Sequence, residues 1–287
     1  MKKLGLALGG GGLKGLAHIG VLQALESHGI KPAFISGSSV GSIFAALYAC
    51  GMKPDQIAIL VKQIHPRDYL DYNVSGLIKY IIGLLLPGLH YPLEGVVKGR
   101  RLERLVHKWT QGRSLSQVRM PLGIIACDIN SGLEVVFCNR RIPIGQRPVQ
   151  VLGQALLSEA VRCSTAIPGT FVPRQFGAMQ MVDGGIRSMV PVWVQKALGA
   201  DYILAIDLGQ QKYHSKVVGM SALIARTLEI LTYETSVMDE QVYADMVVFP
   251  GVENIGLGDV QQAEWIIARG REEMEKRIAE LSQALKA

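Results

Sequence analysis

Apolar residues in this chain fall in short unbroken runs separated by stretches of helical spacing. Leu4–Leu8 is such a run and predicts a buried first strand. Residues 14–28 then place Leu16, Ile19, Leu22 and Leu25 on one side of a helix. Residues 34–36 predict a second strand, and residues 40–50 a helix apolar almost all round, which belongs in the middle of a core. Further strands are expected at 122–127, 133–138, 179–182, 202–206 and 246–249, with helical patterns between several of them. Strands separated by helices build βαβ units, so the expected fold is a three-layer α/β/α sandwich with a mainly parallel central sheet. Residues 260–286 carry balanced charges at helical spacing and predict one long closing helix.

Residues 65–119 interrupt this alternation, and we expect a cap or insertion there within a single catalytic domain spanning 1–287. The stretch contains GLIKYIIGLLLPGL at 76–89 and a basic amphipathic helix around 99–111. Arg100, Arg104 and Lys108 fall four apart on one face of that helix, while Leu102, Leu105, Val106 and Trp109 can face inward. An apolar run of this length suits a buried core helix as well as an interfacial one, so both readings stand.

Composition adds limits rather than a function. A chain of 287 residues that is 49% hydrophobic can bury one large core, and 32 glycines with 6% aromatics favour a layered α/β protein over an all-β sandwich. The formal charge of +6 points to an anionic partner. Nucleic acid is not that partner on this reading, because the basic residues are not interleaved with aromatics and no finger, zipper or RNA-recognition signature is present. Cys50, Cys127, Cys138 and Cys163 are scattered without C-x-x-C pairs, so they are expected to be reduced and buried. The opening MKKLGLALGGGG has an apolar run too short for a secretory leader, which leads us to expect a cytoplasmic protein. No run is long enough to span a bilayer, so membrane contact would be peripheral.

The chemistry concentrates where strands end. Gly37-Ser38-Ser39-Val40-Gly41 fits G-x-S-x-G between a strand and a buried helix, the setting of a nucleophile elbow, with Ser39 at its centre. Gly9-Gly10-Gly11-Gly12-Leu13-Lys14-Gly15 leads from the first strand into a helix, and its backbone N–H groups can converge on an anion. A dinucleotide fold would place an acidic residue at the end of the next strand, where this chain has Ser36-Gly37-Ser38-Ser39 instead. A Walker A loop fails for want of G-K-[ST]. An oxyanion hole beside Ser39 remains. Met181-Val182-Asp183-Gly184-Gly185 puts a carboxylate after a predicted strand, making Asp183 the strongest candidate base, although Asp-Gly-Gly alone is also an ordinary turn. None of His18, His28, His65, His90, His107 and His214 stands at the end of a core strand. No cluster has metal-ligand spacing, so no metal or organic cofactor is expected.

The loop GGGGLKG, the elbow GSSVG and the later DGG, in this order, resemble the patatin-like phospholipase family, in particular its short bacterial members. Arg162-Cys163-Ser164-Thr165-Ala166-Ile167-Pro168 resembles a further family segment, A-S-x-A-x-P. The resemblance covers about residues 4–210. It implies a patatin-like fold and hydrolysis of lipid carboxylic esters of phospholipid or lysophospholipid type. It also implies Ser39 as nucleophile, Asp183 as base of a Ser-Asp dyad, and an oxyanion hole from Gly10, Gly11 and Gly12. Lys14 stands where the family often has Arg, and Cys163 where it often has Ala. Arg100, Arg104 and Lys108 are candidates for contact with anionic head groups. Two other readings stay open: a non-catalytic lipid-binding or regulatory protein, and a dinucleotide-binding oxidoreductase.

Overall fold

The computed structural model describes residues 2–86, 89, 91–209, 216–252 and 260–287. The chain begins with β1 (Leu4–Leu8), α1 (Ala17–Ser27), β2 (Phe34–Ser38) and α2 (Val40–Ala49). It continues through α3 (Pro54–Lys62), α4 (Pro66–Tyr69), α5 (Val74–Leu85), β3 (Gly95–Val97) and α6 (Arg100–Trp109). The sheet resumes with β4 (Leu122–Asp128), β5 (Glu134–Cys138) and β6 (Val149–Leu152), followed by α7 (Leu157–Ser164). Three short strands follow, β7 (Gly169–Phe171), β8 (Arg174–Phe176) and β9 (Met179–Asp183), then α8 (Val192–Leu198) and β10 (Tyr202–Ile206). The last elements are α9 (Met220–Tyr243), β11 (Met246–Val248), α10 (Ala263–Glu275) and α11 (Ile278–Lys286).

The strands order as β11-β10-β1-β2-β4-β5-β6, with β9 attached to β4 and β8 to β9. From β11 to β4 every pairing is parallel. Every residue of β1, β4 and β10 is buried, as strands covered on both faces require. One face packs against α1, α2, α7 and α10 through Leu22, Leu47, Val161 and Ile266. The other carries Val192, Trp193 and Val194 of α8. The result is the expected mixed α/β architecture with a mainly parallel sheet between helical layers.

The register explains how distant residues meet. Leu8 lies level with both Gly37 of β2 and Ile206 of β10, so the chain leaves β1, β2 and β10 at one height. On β4, Ile125 pairs with Ser38 of β2 while the next residue, Ala126, pairs with Asp183 of the antiparallel β9. The elbow and the Asp-Gly-Gly turn therefore face each other across a single strand.

Several expectations change. The expected strands 133–138 and 179–182 form, as β5 and β9, but both run antiparallel to β4, and β3, β6, β7 and β8 carried too few apolar residues to be anticipated. β3 and β7 pair with each other, apart from the main sheet. The helix expected over 14–28 starts at Ala17, because Gly12 has φ +59 and the segment Gly12–Leu16 forms a 3-10 turn first. The expected single tail helix is two, broken where Arg277 N–H turns back to Met274 O at 2.9 Å, an i−3 bond that tightens the turn. Cys127, Cys138 and Cys163 are buried free thiols, whereas Cys50 is only half-buried.

In the expected cap region, α6 keeps Leu102 and Val106 buried and Arg100, Arg104 and Lys108 exposed. α5 buries none of its residues, so the core-helix reading of this run is overturned. Ile78, Ile81, Leu84 and Leu85 are 53%, 47%, 69% and 73% exposed, an apolar surface of a kind that marks a contact with something other than water. No helix among the described residues is long and apolar enough to cross a membrane.

Candidate active site

β2 ends directly in the elbow. Ser39 has φ 50 and ψ −128, a strained conformation for a residue with a side chain, and it is held there from both sides. A Cβ on Gly37 would overlap the Gly41 carbonyl as α2 turns back over the strand, and a Cβ on Gly41 would overlap the Leu8 carbonyl at the end of β1. Both outer glycines of the motif are thus required by close backbone approach. The Ser39 N–H donates to Ser164 Oγ at 2.9 Å, and Ser42 Oγ donates to the Ser39 carbonyl at 2.5 Å, so the elbow's own backbone groups are occupied.

Ser39 Oγ donates to Asp183 Oδ2 at 2.6 Å. The other carboxylate oxygen, Oδ1, accepts Gly185 N–H at 2.8 Å, which fixes the plane of the group and leaves Oδ2 facing the serine. Ser39 is 5% and Asp183 6% exposed. Burial raises the Asp183 pKa to about 6, against the opposing pull of the Ser39 hydroxyl and the Gly185 N–H.

The glycine loop passes beside this pair. A Cβ on Gly10 would stand 3.0 Å from Ser39 Cβ, so the loop borders the serine. Gly9 N–H donates to Ile206 O and Gly10 N–H to Met189 O, each at 3.0 Å. Gly10 therefore borders the serine with its N–H already spent on Met189 O, whereas the resemblance implied donors from Gly10, Gly11 and Gly12 alike. Gly11 and Gly12 N–H form no backbone hydrogen bond among the described residues.

Histidines take other parts. His18 is fully buried with its pKa lowered to about 4 by desolvation, so it is neutral near pH 7. Its Nε2 lies 2.8 Å from Gly9 O, an acceptor only, so Nε2 carries the proton and donates to the glycine loop. His28 pairs with Glu275, His65 with Asp68, and His107 lies 3.4 Å from Ser158. His90 and His214 lie outside the described residues. Among the described residues none of the others bonds Ser39 or Asp183.

Two supports were not anticipated as such. Ser164 sits inside the A-S-x-A-x-P-like segment, but only the fold shows its hydroxyl receiving the Ser39 amide. Met189, which follows the Asp-Gly-Gly turn, holds Gly10 through its carbonyl and packs its thioether against Gly10 and Gly185. Nothing in its sequence context signals that position. Of the three basic residues of α6, Arg100 borders a cavity with Arg162, whereas Arg104 and Lys108 border a separate groove with Arg67 and Arg101.

The chain is similar to several known proteins. An uncharacterized NTE family protein of Mycobacterium tuberculosis is 29% identical over 206 residues, covering 72% of this chain and 49% of that protein. The lysophospholipase NTE1 of Debaryomyces hansenii is 28% identical over 208 residues, covering 72% of this chain and 12% of its own length. This chain thus spans half or less of these relatives. Among solved structures, the type III effector protein ExoU is similar at 17% identity and a TM-score of 0.49, covering 97% of this chain and 53% of that one. The model of the patatin-like phospholipases matches residues 6–194, a span that holds the glycine loop, the elbow and the Asp-Gly-Gly turn, and the chain belongs to that family.

Proposed function

We propose that this protein is a serine hydrolase of lipid carboxylic esters, of phospholipase or lysophospholipase type. The observation that carries the proposal is the buried 2.6 Å bond from Ser39 Oγ to Asp183 Oδ2 at the end of a parallel sheet. As Oγ attacks the ester carbonyl carbon, Asp183 takes its proton, and the negative oxygen is held by Gly11 and Gly12 N–H. Collapse breaks the ester bond, and the departing alkoxide takes the proton from Asp183. Water then attacks the acyl-serine, Asp183 accepts its proton, and Ser39 recovers a proton as the fatty acid leaves. Fluorophosphonate labelling of wild type beside Ser39→Ala, followed by a panel of phospholipids, lysophospholipids and simple esters, tests the reading. Labelling that persists in the alanine variant refutes it.

The raised pKa of Asp183 predicts the pH profile. The base acts when deprotonated, so kcat/KM should fall about tenfold per pH unit below about 6 and level off above it. A histidine base gives a similar limb, so the profile decides only together with a variant. His18→Gln should retain the acid limb, because the titrating group is Asp183; loss of the limb in that variant would transfer the role to His18.

The same shift has a sign for stability. Asp183 holds its proton more tightly in the native state than in the unfolded chain, so its contribution is present below the ordinary pKa of 3.8 and is lost as pH rises through about 6. The site is dry at the expense of stability near neutral pH.

Residues 65–119 act in this proposal as a cap that brings the site to a lipid surface, with α5 as the apolar contact and α6 as the basic one. Replacing Arg100, Arg104 and Lys108 together by glutamine should weaken binding to anionic vesicles by up to about a hundredfold, at about 1 kcal/mol per basic residue. Hydrolysis of a small soluble ester should be spared. Equal losses on both substrates would show that α6 has a structural role only.

A further inference from the structure

Across α7 from the serine lies a cavity of about 520 Å³ that the hydrolytic reading does not use. Its charged lining consists of Lys98, Arg100, Arg162 and Arg174 against Glu94 and Glu103. Arg174 is committed, since it grips both Glu103 oxygens at 3.0 and 2.9 Å. Asp71 lies close by but is committed too, its carboxylate capping Gly99 and Arg100 N–H at 2.7 and 3.1 Å. The α6 N-terminus is therefore already satisfied and does not anchor a ligand.

Arg162 is the unusual member. Its side chain is 2% exposed, yet it makes no ion pair within salt-bridge distance among the described residues. Nη2 donates to the Lys98 and Val172 carbonyls at 2.9 and 2.5 Å, and the guanidinium lies 5.4 Å from the Phe171 ring centre. Among the described residues Nη1 has no hydrogen-bond partner. A buried cation with no anion in direct contact is costly, and the carbonyls, the ring face and the more distant Glu103 and Asp71 carboxylates offset only part of that cost. The missing component is a negative charge with several acceptor oxygens, which matches a guanidinium fork better than a halide does.

We infer that this cavity binds a phosphate ester, with Arg162 as its buried anchor and Arg100 and Lys98 closing on it from the rim. The volume exceeds what inorganic phosphate fills and suits a phosphate carrying a small polar group. Pro92, Val172 and Pro173 are its apolar walls, and among the described residues no aromatic ring lines it to stack on a base. The exposed apolar helix α5 starts at its edge, where Asn73 both lines the cavity and caps Gly76 N–H. That placement sets an acyl-binding surface beside a phosphate site, the arrangement of a lipid head group, while a soluble phosphate ester shares the same chemistry. Arg162 and Ser164 are two residues apart on α7, so they point to opposite sides of the helix that supports the Ser39 amide.

The test uses the full chain carrying Ser39→Ala, so that nothing is turned over and the outcome does not depend on the hydrolytic reading. Glycerol phosphate is titrated calorimetrically at constant ionic strength, and vesicles of phosphatidylcholine with phosphatidic acid are titrated by flotation. Arg100→Gln, which is exposed and leaves the fold untouched, should lower affinity about tenfold or more, and Arg162→Lys should do the same by losing the fork while keeping the charge. Arg104→Gln with Lys108→Gln lies outside the cavity and should leave glycerol phosphate binding unchanged. Saturable binding of glycerol phosphate identifies soluble phosphate esters as ligands. Binding confined to vesicles, with dependence on the buried Arg162, identifies the lipid head group. Absence of saturable binding in both arms, equal competition by chloride, or affinity unchanged in both Arg100→Gln and Arg162→Lys would overturn the inference.

Discussion

Ser39→Ala is expected to lower hydrolysis of a short acyl ester by about 10⁴-fold or more, and Asp183→Asn to lower it about as far. The two losses should not add, because the hydroxyl and the carboxylate form one unit: Oγ without a base is a poor nucleophile, and a base without Oγ has nothing to activate. Folding should survive both changes. In Ser39→Ala the elbow keeps its glycines and the Ser164 bond to residue 39, while Asp183 Oδ2 loses its donor, a cost of about 1–3 kcal/mol that protonation of the buried carboxyl reduces. Asparagine at 183 preserves the shape and removes the pH-dependent penalty, so this variant should unfold at a temperature equal to or above that of wild type at pH 7. Rates with a soluble chromogenic ester and unfolding midpoints, measured on the same preparations, check both statements. A folded Asp183→Asn protein of normal activity would leave Ser39 in need of another base.

Gly11→Ala is expected to cost about 10²- to 10³-fold, the usual value of one oxyanion donor. In the proposed mechanism Gly11 and Gly12 supply the hole, since Gly10 N–H is held by Met189 O. A methyl group on Gly11 would stand 2.9 Å from Leu208 Cβ and 3.1 Å from its Cδ1, so the loop must shift away from β10 and carry its N–H with it. Leu208 directly follows Asp207 at the end of β10 and has little room to yield, being 3% exposed. The loss should fall mainly on kcat, since the donors matter most when charge develops on the carbonyl oxygen. A wild-type kcat in a folded Gly11→Ala protein would move the oxyanion hole to other donors.

Much of this arrangement was legible from local pattern. The runs that became β1, β4 and β10 are apolar throughout because both faces are covered, and a run of that kind is visible without knowing its neighbours. The elbow was legible because a G-x-S-x-G spacing between a strand and a buried helix is a local pattern, although only the fold shows that Gly41 is required by the Leu8 carbonyl. The antiparallel direction of β9 was not, since a strand of five residues carries no mark of its orientation. Nor was the fate of Gly10, whose amide is spent on a carbonyl supplied from residue 189.

What the sequence by itself determined is the set of strand ends and the residue types standing on them: four glycines after β1, Ser39 after β2, Asp183 at the end of β9. Periodicity and motif spacing depend on neighbours along the chain, and these features are local in that sense. Only the tertiary structure decided which of these groups stand together. Ser39 and Asp183 are 144 residues apart and meet because β4 lies between their strands. Ser164 becomes a support, Gly10 spends its N–H on Met189 O, and α5 stays exposed while α6 buries one face, because each outcome depends on what the fold brings in, or fails to bring in, from elsewhere in the chain. Hydrogen-bond donors and apolar faces are properties of residues, but whether they are already occupied is a property of the packed fold.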